Sequence, residues 1–130
     1  MKKLLGILAL CALFSMLIVA CGGSNGGGNT TGGGNTVGLA ATTFAQGSIT
    51  IKKGESITLT NQTGTVHIIS NGSWNGNTPA PKVETGAPVM NNVTFSSNGQ
   101  SQTVGPFTTA GTFHYYCTVH PGMNLTVTVQ

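Results

Sequence analysis

Seven short runs between residues 48 and 129 either alternate apolar with polar residues or are rich in β-branched and aromatic residues. They are residues 48–51, 56–60, 65–69, 92–95, 101–104, 111–116 and 125–129. A period of two is typical of β-strands with one buried face, and Gly, Asn and Pro between the runs indicate turns. No segment beyond the N-terminal apolar run has helical periodicity. We therefore predict a single small all-β domain, folded as a β-sandwich.

Residues 70–90 do not follow this pattern. Residues 70–77 are rich in Gly, Asn and Ser, and Pro79, Pro81 and Pro88 disfavour a central strand over much of the remainder. We expect this segment to cross the sandwich or to cover one end of it. The sequence does not predict where its Trp74 lies.

The N-terminus has the composition of a targeting segment. Lys2 and Lys3 precede an apolar run that ends at Ala20, and Cys21 follows directly. A charged start, a short apolar core and a small residue before the cleavage point are typical of a signal peptide. Cysteine at the first mature position resembles the bacterial lipoprotein signal. We predict that residues 1–20 are removed and that Cys21 carries lipid; an uncleaved membrane anchor is the alternative.

The next segment differs again. Residues 22–36 contain only Gly, Asn, Ser and Thr, so they offer nothing to a hydrophobic core. We predict a flexible linker over residues 21–36, counted from the lipidated cysteine, and a folded domain over residues 37–130.

The charge of the predicted mature chain is small. Three Lys and two Glu leave a net charge of +1, and Asp and Arg are absent. No basic patch for nucleic acid is present, and no pair of carboxylates suggests general acid–base catalysis. We expect a monomer that is not an enzyme and has no nucleic-acid partner.

Only one thiol would remain in the mature domain. Cys11 lies in the predicted signal and Cys21 would carry lipid, so Cys117 has no disulfide partner in an oxidising compartment. Free cysteine is often a small buried hydrophobic residue. Metal ligation is the other explanation.

The surroundings of Cys117 favour the metal. His120 and Met123 follow at intervals of three, on a short loop between two predicted strands. A thiolate, an imidazole and a thioether are donors that copper prefers, and a blue-copper site adds a second imidazole. His67, within an apolar strand, is the best source of that imidazole, since His114 has the strand offset of the opposite face. Met90 is predicted to be a packing residue.

Other chemistries fit the same residues less well. A structural zinc site would use Cys117, His67 and His120 but would leave Met123 unused, because zinc closes its shell with better donors. A Cys–His nucleophile would lack a carboxylate to orient the histidine.

Two sequence blocks, "ITIKKGESITLTNQTGTVH" and "GTFHYYCTVHPGM", resemble the cupredoxin family over roughly residues 44–130. The short Cys-x2-His-x2-Met loop is similar to that of the amicyanin branch. The resemblance implies a Greek-key β-sandwich with one type 1 copper, held by His67, Cys117 and His120 in a plane and by Met123 as the axial ligand. The family commonly has Asn after the upstream His, where its side chain ties the two ligand loops together. This chain has Ile68 instead.

The resemblance also implies a function. We expect single electrons to pass between transient redox protein partners outside the cytoplasmic membrane, in the periplasm or on the outer surface, with the lipid on Cys21 as the membrane anchor. The first alternative is a copper-binding or copper-delivery lipoprotein without electron transfer. An adhesion or interaction module with a vestigial site is the second alternative.

Overall fold

The structure, a computed structural model, describes residues 34–130; the predicted signal peptide, Cys21 and most of the predicted linker lie outside these residues. The described chain forms nine β-strands and no helix. They are β1 (Thr36–Leu39), β2 (Ser48–Ile51), β3 (Ile57–Asn61), β4 (His67–Asn75), β5 (Thr78–Pro81), β6 (Val93–Phe95), β7 (Ser101–Val104), β8 (Gly111–Cys117) and β9 (Asn124–Val129). Within residues 34–130 there is no helix that could cross a membrane.

The strands form two sheets. The smaller sheet has the order β1-β3-β7, and the larger has the order β2-β9-β8-β4-β5, with β6 pairing β4. The β1–β3 and β2–β9 pairs are parallel, whereas the other pairs are antiparallel. The prediction of an all-β, two-sheet sandwich is therefore confirmed.

The core lies between the sheets and follows from the alternation. In β9 the pattern of burial switches at every residue, with Leu125, Val127 and Val129 inside. The β3 residues Ile57 and Leu59 supply the other layer and have no exposed surface. Such apolar side chains each contribute roughly 1.5–3 kcal/mol when fully buried. This packing holds the ends of β4 and β8, which carry the site, in fixed positions.

Two strands were not predicted. Strand β1 begins at Thr36, one residue before the predicted start of the folded domain, and pairs in parallel with β3. Strand β5 contains Pro79 and Pro81, and it lies at an edge of the sheet, where a residue without an N–H is tolerated. The expectation that these prolines exclude a central strand therefore agrees with the structure.

Strand β4 continues six residues beyond its predicted end at Ile69. Its pairing with β8 ends at Asn71, and the rest of the strand forms a hairpin with β5. The change of partner occurs at Gly72, whose φ of +124° favours glycine. A Cβ atom there would lie 2.5 Å from the Ala80 carbonyl oxygen, so glycine also allows the two backbones to approach. The hairpin places Trp74 against the ends of β8 and β9.

Candidate metal centre

The strand ends bring two predicted ligands together. His67 is the first residue of β4 and Cys117 is the last residue of β8. Because these strands are antiparallel, with Ile69 opposite Cys117, the start of β4 lies beside the end of β8. The N–H of Thr118 donates to the carbonyl of Ile68 at 2.8 Å and extends this contact into the loop.

The loop of residues 118–123 supplies the other two candidates. The N–H of Cys117 donates to the Met123 carbonyl at 3.0 Å, and the N–H of Met123 donates to the His120 carbonyl at 3.1 Å. Gly122 has a φ of +79°, which suits the tight turn after Pro121. These backbone bonds fold Cys117, His120 and Met123 into one compact unit between β8 and β9.

The donor atoms converge. The Sγ atom of Cys117 lies 3.3 Å from Nδ1 of His120 and 3.9 Å from Nδ1 of His67. One ligand atom from each of the three residues lies within 4.8 Å of the others. The two imidazole rings have centroids 4.9 Å apart and are tilted by 57°. The structure therefore brings together three of the four predicted ligands as a cluster, and places Met123 on the same loop.

These separations fit a shared metal ion. With metal–sulfur and metal–nitrogen bonds of about 2.3 Å and 2.0 Å, a trigonal arrangement separates the two donors by about 3.7 Å. The observed Cys117–histidine distances lie on either side of this value. Both histidines face the sulfur through Nδ1, so one metal ion between them can contact the sulfur and both nitrogens.

The burial of His67 also suits metal binding. Its side chain has no exposed surface, so the imidazole is shielded from water. Burial lowers the pKa of His67, and the nearby His120 lowers it further; the Ala40 carbonyl has a smaller opposing effect. A neutral imidazole keeps a lone pair for a metal, so this environment prepares His67 as a ligand.

The cluster is closed on one side and open on the other. Cys117 and Met123 are fully buried, whereas His120 is half-buried and lies next to the exposed Val119 and Pro121. Val66, just before His67, is also exposed. The surface contributed by these neighbours is therefore apolar, without a charged side chain.

The remaining candidates lie outside the cluster. His114 is partly exposed, and its Nδ1 lies 2.8 Å from a carboxylate oxygen of Glu84. Met90 is buried in the core, which agrees with the packing role predicted for it. Glu55, the other carboxylate, accepts from the Lys52 N–H at 2.8 Å. Neither Glu84 nor Glu55 is thus hydrogen-bonded to the ligand cluster or to Met123.

Sequence reasoning missed the surroundings of the loop. The indole Nε1–H of Trp74 donates to the Cys117 carbonyl at 2.7 Å. The side chain of Asn124 accepts from the Trp74 N–H at 2.7 Å and donates to its carbonyl at 3.2 Å. No sequence pattern signals these contacts, because they depend on the bend at Gly72.

Comparison with known proteins identifies the family. Residues 33–130 match the copper binding proteins of the plastocyanin/azurin family. No curated protein matches the chain. The sequence match covers about three quarters of the chain, so the protein belongs to the copper-binding plastocyanin/azurin family. The metal that its site holds is copper.

Solved structures show the same fold. The crystal structure of amicyanin from Paracoccus versutus (Thiobacillus versutus) is 20% identical with a TM-score of 0.57, over 78% of this chain and 86% of that one. A reduced amicyanin variant is 23% identical with a TM-score of 0.56, over 75% of this chain and 83% of that one. At these identities the similarity establishes an amicyanin-like cupredoxin fold.

Proposed function

We propose that this protein is a type 1 copper protein that carries single electrons between redox partners outside the cytoplasmic membrane. His67, Cys117 and His120 form the trigonal ligand plane, and Met123 is the weak axial ligand. The observation that carries the proposal is the convergence of one sulfur and two imidazole ligand atoms within 4.8 Å at the ends of β4 and β8. Bound copper supplies the one-electron chemistry, by changing between Cu(II) and Cu(I).

The chain contributes a nearly fixed geometry. His67 and Cys117 are held by paired strands, and the loop that carries His120 and Met123 is closed by backbone hydrogen bonds. A set of ligands that moves little between oxidation states favours fast electron transfer. The buried thioether of Met123 also favours copper over zinc, because a thioether is a soft donor.

Electrons enter and leave the copper site through His120. It is the one candidate ligand with exposed surface, and the adjacent Val119 and Pro121 are exposed as well. A small uncharged surface suits the short-lived contacts of redox partners, which bury little area. The role is that of an electron carrier and not of an enzyme.

The proposed location depends on the N-terminus. Cleavage before Cys21 and lipidation of that residue would place the domain at a membrane surface, on a flexible linker. Mass spectrometry of the membrane fraction is expected to find Cys21 with added lipid at the N-terminus. An unmodified Met1 in that fraction would contradict the proposal and indicate a transmembrane anchor.

Repeated redox cycling separates an electron carrier from a copper-delivery protein. The copper-loaded protein is oxidised and reduced electrochemically for many cycles beside an excess of a Cu(I) chelator. An electron carrier keeps its copper and gives the same signal in each cycle. Loss of copper to the chelator at each reduction would contradict the proposal and support delivery.

A further inference from the structure

Trp74 contacts both ends of the ligand loop. Its indole Nε1–H donates to the carbonyl of Cys117, the last residue of β8, at 2.7 Å. Its backbone N–H and carbonyl are both bonded to the side chain of Asn124, the first residue of β9. The loop between these two residues carries His120 and Met123. Three hydrogen bonds therefore join one residue of β4 to the start and the end of this loop.

The aromatic ring strengthens the contact. The rings of Trp74 and Tyr116 meet edge to face, with centroids 5.9 Å apart and planes at 87°. Tyr116 is almost fully buried and directly precedes Cys117. Edge-to-face pairs are favourable beyond the area they bury. The Trp74 ring is thus held in place while its N–H points at the Cys117 carbonyl.

The Trp74 contact is important because the side-chain contact expected from the residue after His67 is missing. The cupredoxin resemblance leads us to expect Asn after the first histidine ligand, with a side chain that ties the ligand segments together. Ile68 has no polar side-chain atom, and only its carbonyl reaches the loop, through the N–H of Thr118 at 2.8 Å. Trp74 provides a side-chain tie to the same loop from the opposite end of β4.

We propose that Trp74 is a positioning residue for copper. By fixing the Cys117 carbonyl and the start of β9, it sets the direction of the Cys117 sulfur and limits the movement of His120 and Met123. Partners of metal ligands that act in this way typically change metal affinity by 10–100-fold. This inference rests on the proposed ligand set, and its test is chosen so that the two can fail separately.

The first measurement uses the metal-free wild-type protein. Trp74 is the only tryptophan in the chain, so a nitrogen–proton NMR spectrum contains a single indole signal. We expect this proton to exchange slowly with water and to shift when Cu(I) is added. If the indole proton of the folded protein exchanges as fast as that of free tryptophan, the hydrogen bond to Cys117 is absent and the proposal is overturned. This measurement does not require the proposed ligands to be correct.

The second measurement compares two variants that each lose one hydrogen bond. Trp74→Phe keeps an aromatic ring beside Tyr116 but removes the Nε1–H. Tyr115→Phe is the matched control, because it removes an O–H that donates to the Pro88 carbonyl at 2.9 Å, away from the loop. Cu(I) affinity is measured by competition with a chelator, and the reduction potential and the Cu(II) visible spectrum are recorded for each variant.

We expect Trp74→Phe to weaken Cu(I) binding about tenfold and to change the potential and the spectrum. Tyr115→Phe is expected to change Cu(I) affinity less than about twofold. This holds even if it lowers the stability of the fold by as much as Trp74→Phe does, because each variant loses one hydrogen bond. Equal copper affinities and spectra in the two variants would reduce Trp74 to an ordinary stabilising contact and overturn the proposal. If wild-type affinity is unaffected by Cys117→Ser, the ligand set itself is wrong, whatever Trp74 does.

Discussion

Asn61 offers a sharp test of how the fold positions His67. Its side chain is fully buried at the end of β3, where the loop to His67 begins. The Nδ2–H donates to the Thr65 carbonyl at 2.8 Å, and Oδ1 accepts from the N–H groups of Thr63 and Gly64 at 3.2 Å each. One side chain therefore binds three backbone groups of the loop between β3 and β4, in place of ladder hydrogen bonds.

We predict that Asn61→Ala lowers the free energy of unfolding by about 2–3 kcal/mol. Each of the three hydrogen bonds contributes about 1 kcal/mol, and water at the exposed Thr63 offsets part of the loss. For a domain of this size the change corresponds to a fall in melting temperature of roughly 10–20 °C. Copper affinity is expected to fall as well, because the loop no longer fixes His67 at the start of β4.

Urea unfolding of the metal-free protein is the suitable assay, since bound copper would stabilise the native state by mass action and hide the effect. Thr63→Ala is the control in the same loop. It removes only an exposed Oγ1 that accepts from the Thr65 N–H at 3.3 Å, so we expect a loss of about 0.5 kcal/mol or less. If both variants lose the same amount, the loop does not depend on Asn61 and the reasoning is refuted.

Three further predictions concern the surface, the β4 bend and the partner. Partial burial raises the pKa of Glu84, but hydrogen bonds from the ring and N–H of His114 outweigh it and hold that pKa below 4.5. Glu84→Gln is thus expected to lower the free energy of unfolding by about 1 kcal/mol at neutral pH, and this difference from wild type is expected to vanish as pH falls below about 4.5. A difference in unfolding free energy that stays constant with pH would contradict this. Gly72→Ala is expected to lower stability by about 3 kcal/mol in thermal unfolding, because Gly72 has a φ of +124° and lies close to the Ala80 carbonyl. Gly47 has open space around it, so the control variant Gly47→Ala is expected to change stability by less than about 0.5 kcal/mol. With so few charges, the electron-transfer rate with the natural partner is expected to depend weakly on salt, and a tenfold drop in stopped-flow rates between about 10 mM and 300 mM would rule out docking through the apolar surface at His120.

Local sequence patterns predicted most of the strands, and the pattern was clearest in β3 and β9, where burial switches at every residue. The runs at residues 48–51, 101–104 and 125–129 match β2, β7 and β9 to within one residue. The spacing of Cys117, His120 and Met123 likewise predicts that they lie close together, because a six-residue loop between paired strands cannot separate their side chains far. That is why the sequence alone pointed to this loop.

Contacts between distant segments were not predictable in the same way. Strand β1 is a strand because it pairs in parallel with β3, and no local sequence pattern predicts this pairing. The Gly- and Asn-rich residues after Ile69 resemble a turn, yet they continue β4 because Gly72 permits a change of partner. The same bend brings the Trp74 side chain to the Cys117 carbonyl. The sequence shows that Ile68 lacks a side chain to tie the ligand loops together, but only the structure shows that Trp74 makes such a contact.

The absorption spectrum of the Cu(II)-loaded protein tests the central claim most directly. A type 1 site has an intense visible band from charge transfer between the Cys117 thiolate and Cu(II), so wild-type protein is expected to be blue. Cys117→Ser removes the sulfur and is expected to abolish the band, whereas Met123→Gln is expected to keep it and to lower the reduction potential. A colourless Cu(II) protein, or a Cys117→Ser variant that stays blue, would contradict the copper site described for residues 67 and 117–123.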